Sequence, residues 1–135
     1  GPRDMENNQV MVKMRDLDGK EPVSLDGIVD YVQTALTEMQ GRMLETARNY
    51  RKEHEYTHID TLDELKEHIE TKRAAGETPG FVLAGWDGTE ETEAKIKEET
   101  GFTTRNIPFH PEVEKATCIV TGNPAKHTVW LARAY

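Results

Sequence analysis

The feature that most constrains this chain is one uninterrupted helical repeat. Ile28, Val32, Leu36, Met39, Met43, Ala47 and Tyr50 recur at steps of three or four residues, the spacing that lines one face of an α-helix. Ser24, after Pro22-Val23, reads as an N-cap. The pattern therefore predicts a helix from about residue 25 to about residue 53, roughly 43 Å long at 1.5 Å per residue and able to act as a spacer. Asp26, Asp30 and Glu38 occupy its first part, while Arg42, Arg48, Arg51 and Lys52 occupy its end. That polarity complements the helix dipole without any ligand.

The texture differs on either side of this helix. Upstream, Val10, Met11, Val12, Lys13, Met14 and Arg15 place apolar side chains at 10, 12 and 14 with charges between, the alternation of a half-buried strand. Asp16-Leu17-Asp18-Gly19-Lys20 reads as its hairpin turn. A lone hairpin is marginal in water, so this piece needs a partner that the chain does not visibly supply.

From Tyr56 onward the units are short and alternating. Tyr56-Thr57-His58-Ile59 reads as a strand, and Thr61 with Glu64 forms a capping box that opens a helix to about Ala75. Phe81-Val82-Leu83-Ala84 reads as a buried strand. Residues 89 to 100 read as a helix with acids in its first turn and Gly101 as its stop. A strand over 102 to 107 follows. Cys118-Ile119-Val120 and Thr128-Val129-Trp130-Leu131 then read as a hairpin across Gly122-Asn123-Pro124. The expected fold is α+β: a long linking helix, then a two-layer β-α-β-α-β-β-β domain with a mixed sheet and two helices on one face.

Composition narrows the function classes. The 135 residues suit one compact domain, or a small domain with a leftover piece of another. With 17 Lys and Arg against 25 Asp and Glu, the formal net charge is −8, the wrong sign for unaided nucleic-acid binding. The longest uncharged apolar run is about five residues, far short of the ~20 that cross a bilayer. No signal-peptide pattern opens the chain, so a soluble protein is expected. Cys118 stands alone, which excludes an internal disulfide and suits a reducing, cytoplasmic compartment. The start at Gly1-Pro2, without an initiator Met, suggests a processed end, a cloning scar, or a segment of something longer.

Chemistry-bearing strings are few. His54-Glu55-Tyr56-Thr57-His58 is a formal HExxH, which on a helix would hold zinc between two imidazoles with Glu55 as base. The capping box at Thr61 demands a chain break nearby, so the string should straddle a helix end and lose that geometry. Arg48, Arg51 and Lys52 could track an RNA backbone. Asp87, Glu90, Glu91 and Glu93 could offer oxygens to a divalent metal, although helix-start stabilisation accounts for them. Cys118, with only Lys115 near it as a base, reads as a packed and inert thiol. The chain carries no GxxxxGK[ST], GxGxxG or GxSxG, so neither a phosphate-cradling loop nor a nucleophile elbow is present. By chemistry alone it contains no catalytic centre.

Two sets of residues carry a resemblance. Gly1-Pro2-Arg3-Asp4-Met5-Glu6-Asn7-Asn8-Gln9-Val10 resembles the segment that closes the anticodon-binding domain of prolyl-tRNA synthetase. Gly85-Trp86-Asp87-Gly88, Lys95-Ile96-Lys97-Glu98-Glu99-Thr100-Gly101, Arg105-Asn106-Ile107-Pro108, Cys118-Ile119-Val120-Thr121-Gly122-Asn123-Pro124-Ala125-Lys126 and Leu131-Ala132-Arg133-Ala134-Tyr135 resemble, in order, the C-terminal domain of the archaeal and eukaryotic type of that family. The similarity covers essentially the whole chain.

That resemblance implies a division into residues 1–23, the remnant of an anticodon-binding domain; 24–55, a connecting helix; and 56–135, the C-terminal domain. It implies a supporting segment of a class II ligase that uses ATP with magnesium to attach proline to tRNA(Pro). The catalytic residues, the ATP site and most anticodon contacts would lie upstream, so the isolated chain is expected to be inactive. Tyr135, with Arg133 beside it, would form a tail directed at the active site, and Arg3, Arg48, Arg51 and Lys52 are candidate tRNA contacts. Many members hold a structural zinc with four cysteines. Here Asp87, Thr92 and Thr121 stand at three of those positions and only Cys118 remains, so no zinc is expected, and packing by Trp86 and Ile119 is expected to hold the knuckle instead. The resemblance also implies a homodimeric full-length enzyme, with this segment monomeric when isolated. A stand-alone interaction module without catalysis is the alternative, and an HExxH metalloprotease is a third reading.

Overall fold

A computed structural model describes residues 1–133. The described chain falls into two compact units, residues 1–51 and residues 52 onward. In the first unit a short helix α1 (Pro2–Glu6) runs into a turn at Asn8, whose φ of +48° lies in the left-handed region that asparagine tolerates. Strands β1 (Gln9–Val12) and β2 (Glu21–Ser24) then pair antiparallel, with Gln9 opposite Ser24 and Val12 opposite Glu21. The long helix α2 (Ile28–Glu53) follows.

Three expectations for this unit need correction. The first strand stops at Val12 rather than Arg15, because residues 13–20 turn away to meet α2. There Asp16 accepts from Arg42 Nε at 2.7 Å, and the Arg42 guanidinium also lies 3.2 Å from Met14 Sδ. Ser24 is not a helix cap. It ends β2, and its hydroxyl accepts from the Asp26 amide in a local turn at 3.1 Å. Gly27 at φ +81° then forbids helical backbone before Ile28. The side of α2 that is half-buried also differs from the expected stripe: Ile28, Tyr31, Ala35, Met39 and Arg42 are half-buried, whereas Leu36 and Tyr50 are 56% and 60% exposed. Among the described residues of α2, none is fully buried.

The second unit builds a four-stranded mixed sheet in the order β3 (Glu55–Tyr56), β4 (Phe81–Trp86), β6 (His127–Arg133), β5 (Phe102–Asn106). β3 lies parallel to β4, and β6 is antiparallel to both β4 and β5. A parallel pair needs a crossover, which α3 (Leu62–Ala74) supplies. Its predicted capping box is present: the Thr61 hydroxyl accepts from the Glu64 amide, and the Glu64 carboxylate accepts from the amides of Thr61 and Asp60. Helix α4 (Glu90–Thr100) ends at Gly101 in the left-handed region, as its sequence predicts, while Thr89, expected as its first residue, is instead its N-cap. Leu62 and Leu65 from α3 and Ile96 from α4 join Val82, Ala84, Phe102, Val129 and Leu131 from the sheet in one buried core.

The late hairpin is the main revision to the expected α+β order. Residues 118–120 form no strand with 128–131. Instead Cys118 donates to the Asn123 carbonyl, Ala125 donates to the Ala116 carbonyl, and Gly122 donates to the Cys118 carbonyl, a tight knuckle closed by a Thr117–Pro124 bridge. The apolar run is apolar because Cys118 and Ile119 are buried against the sheet. The first strand of this unit is also shorter than expected, two residues instead of four.

The knuckle rests on Gly85. Ile119 donates to the Gly85 carbonyl at 2.9 Å, and a Cβ added at Gly85 would fall 2.0 Å from the Thr117 carbonyl oxygen. Gly85→Ala should therefore destabilise this unit by about 2–3 kcal/mol through forced separation of the two backbones, measured as a lowered urea midpoint followed by tryptophan fluorescence.

Candidate functional site

The polar centre of the second unit sits where β4 hands over to α4. Thr92, 7% exposed, points its hydroxyl back at the turn. It accepts from Trp86 Nε1 at 2.9 Å and donates to Asp87 Oδ1 at 2.5 Å. The same carboxylate oxygen accepts from the Thr89 amide at 3.1 Å and the Thr89 hydroxyl at 3.0 Å. This knot exists because an Asp two residues before a Thr N-cap can accept the N-cap amide, while Thr92 lies one turn into the helix. The Thr92 hydroxyl, followed by the Thr89 donors, holds the Asp87 carboxyl below the ordinary aspartate value of 3.8.

Asp87 and Thr92 are two of the four positions where the resemblance implies zinc ligands, and the residues present do not fit that group. Asp87 Oδ1 and the Thr92 hydroxyl are saturated by each other and by their neighbours. Thr121 accepts from the Asn123 amide at 3.3 Å, and Cys118 is a single buried thiol. Among the described residues no cluster of three or more His, Cys, Asp or Glu is placed to hold a metal. The expected packing role of Trp86 and Ile119 is thus supplemented by a hydrogen-bonded knot, which the sequence reading missed. The HExxH string fares as its flanks suggested: α2 ends at Glu53, Glu55 enters β3, and His58 lies exposed beyond it. Glu90, Glu91 and Glu93 fill the first turn of α4, and Glu93 also accepts from the Thr104 hydroxyl.

The remaining candidate residues lie apart from the knot. Arg3 is in α1, and Arg48, Arg51 and Lys52 are exposed in the last turns of α2. Arg133 ends β6 opposite Phe102, and its carbonyl accepts from Arg105 Nη2 at 2.7 Å. Tyr135 lies outside the described residues.

Two anchoring side chains escaped the sequence reading. Lys115, considered there only as a base near Cys118, has a side chain only 7% exposed. It donates through Nζ to the Thr57 carbonyl at 2.5 Å and to Asp60 at 2.6 Å. His68 bonds through Nε2 to the Pro79 carbonyl at 2.9 Å and so carries its proton there, with its ring 4.3 Å from that of Tyr56. Neither pairing has a local spacing that a linear reading could detect.

The family described as prolyl-tRNA synthetase, C-terminal, matches residues 62–135. A proline–tRNA ligase of Symbiobacterium thermophilum is 52% identical over 135 residues, covering 100% of this chain and 28% of its own length. One from Porphyromonas gingivalis is 46% identical, again over 100% of this chain and 26% of its own length. The chain thus spans little more than a quarter of the curated relatives it matches. The crystal structure of prolyl-tRNA synthetase from Cryptosporidium parvum, complexed with L-proline and AMP, superposes with a TM-score of 0.82 at 27% identity, covering 100% of this chain and 27% of that one.

Thr92→Val keeps the shape but strands the Trp86 indole and removes the strongest donor to Asp87, so it should cost about 1–3 kcal/mol at neutral pH. Because the folded Asp87 pKa is depressed, the knot's contribution is complete above the unfolded value and lost as pH falls through the folded one. The stability gap between the native chain and Thr92→Val should therefore hold at neutral pH and narrow below pH 3.8, as read from denaturant midpoints across that range.

Proposed function

Since the chain belongs to the prolyl-tRNA synthetase C-terminal family, we propose that it is the C-terminal part of a proline–tRNA ligase that supports catalysis performed elsewhere in the same polypeptide. The observation that carries this reading is its end-to-end match, at 52% identity, to a ligase of which it spans 28%. In this reading residues 1–23 complete an anticodon-binding domain, residues 24–55 connect, and residues 56–135 form a packing domain. The full-length enzyme activates proline with ATP and magnesium and works as a cytoplasmic homodimer, while the isolated segment is an inactive monomer that holds no zinc.

Within that enzyme Arg3, Arg48, Arg51 and Lys52 are the segment's candidates for tRNA(Pro) backbone contact. An exposed basic helix end suits phosphate, although the net charge of −8 requires the main electrostatic attraction to come from upstream. Arg133 leads into the tail, whose terminal Tyr135 is directed at the active site.

Removing Tyr135 from the full-length polypeptide should lower proline-dependent ATP–pyrophosphate exchange by on the order of tenfold, the scale of a lost positioning contact. Unchanged exchange would dismiss the tail's role. The 135-residue chain alone should show no exchange.

A further inference from the structure

The connection between β5 and β6 presents apolar side chains outward. Phe109 is 98% exposed, Ile107 50% and Val113 43%, three large apolar residues within seven positions. A single exposed apolar residue needs no explanation, whereas a cluster does. The loop's backbone is also restricted at several points. Pro108, just before Phe109, and Pro111, two residues after it, each have φ locked. Its far end is pinned where the Lys115 amide donates to the Thr128 hydroxyl at 2.9 Å and the Lys115 ammonium binds Thr57 and Asp60. An aromatic with only two side-chain torsions on a backbone restricted in this way loses less conformational freedom on docking than a long flexible side chain, which suits an interface anchor.

Building on the ligase reading above, we propose that residues 107–113 are the docking face of this unit for the upstream, catalytic part of the same polypeptide, with Phe109 as the anchor. The occupant follows from length and charge. The matched relatives carry nearly three-quarters of their length outside the region this chain covers, so a large protein surface is available. The loop carries Glu112 and Glu114 beside its apolar residues, which opposes a nucleic-acid occupant and favours an apolar pocket rimmed by Lys or Arg.

The test places a reporter thiol beside the anchor. Val113→Cys, with Glu112→Cys as a second reporter, is labelled in the full-length polypeptide and in the 135-residue chain, and the rate at that site is read by peptide mass. Docking predicts labelling at least about tenfold slower in the full-length polypeptide. Phe109→Ala, at a side chain 98% exposed in this unit, should restore the fast rate. Equal rates in the two chains, or protection indifferent to Phe109→Ala, overturn the proposal. Protection that requires added tRNA, or that grows with concentration of the 135-residue chain, also overturns it, in favour of RNA or of a second copy. Proline-dependent exchange on the same full-length preparation separates the two readings. Exchange with an unprotected thiol defeats the docking alone, whereas a protected, Phe109-dependent thiol without exchange defeats the ligase reading and leaves the docking standing.

Discussion

The second unit depends on strand β4. It is hydrogen-bonded on one side to β3 and on the other to β6, and Val82, Leu83, Ala84 and Gly85 are all buried. A strand covered on both faces reads as a continuous apolar run rather than an alternation, which is what residues 81–85 show. Its parallel neighbour forces the α3 crossover. Its antiparallel neighbour β6 then carries β5 on its far edge. At its end, Gly85 leaves room for a backbone segment that no side chain there could tolerate, so the 116–125 knuckle closes against bare main chain.

The knot at Asp87 and Thr92 works on the same strand end by a different means. A metal bound by distant thiolates would tie the β4–α4 turn to the knuckle in a single bond set. The residues present separate those two tasks. Trp86, Asp87, Thr89 and Thr92 lie within seven positions and fasten only the turn to its helix, at low loop-closure cost. The knuckle is held independently, through the Ile119 amide on Gly85, the Lys126 amide on the Trp86 carbonyl, and burial of Cys118 and Ile119. Stability in this corner therefore depends on buried hydrogen bonds and packing distributed over both segments.

What could be read from the sequence divides along the same line. The capping box at Thr61, the acidic first turn of α4 and the stop at Gly101 are local patterns whose physics is complete within a few residues, and each is in place. The sheet strands at 81–86 and 102–106 also follow from their own composition. The late hairpin could not be inferred this way, because Cys118-Ile119-Val120 has the composition of a strand while its burial comes from contact with Gly85, more than thirty positions away. The start of α2 was misplaced because Ser24 satisfies the cap rule in isolation, while Gly27 and pairing with Gln9 assign it to β2. The knot was missed since Asp87 and Thr92 were read as departures from a metal pattern rather than as a donor and acceptor pair.

A net charge of −8 limits what the basic end of α2 could contribute to the proposed RNA contact. Arg48, Arg51 and Lys52 end a helix whose earlier turns carry Asp30 and Glu38, and salt screens their field beyond about 8–10 Å. Within that distance they can orient a phosphate, but the summed charge of the chain repels a polyanion at longer range. If the proposed tRNA contacts are made, affinity has to arise from a cationic surface elsewhere, and these three side chains would serve to register and position. The exposed apolar side chains of α2 fit such a division of labour, because a long helix with no fully buried residue gains little tertiary stabilisation by itself. Its rigidity in a working enzyme depends on what packs against it.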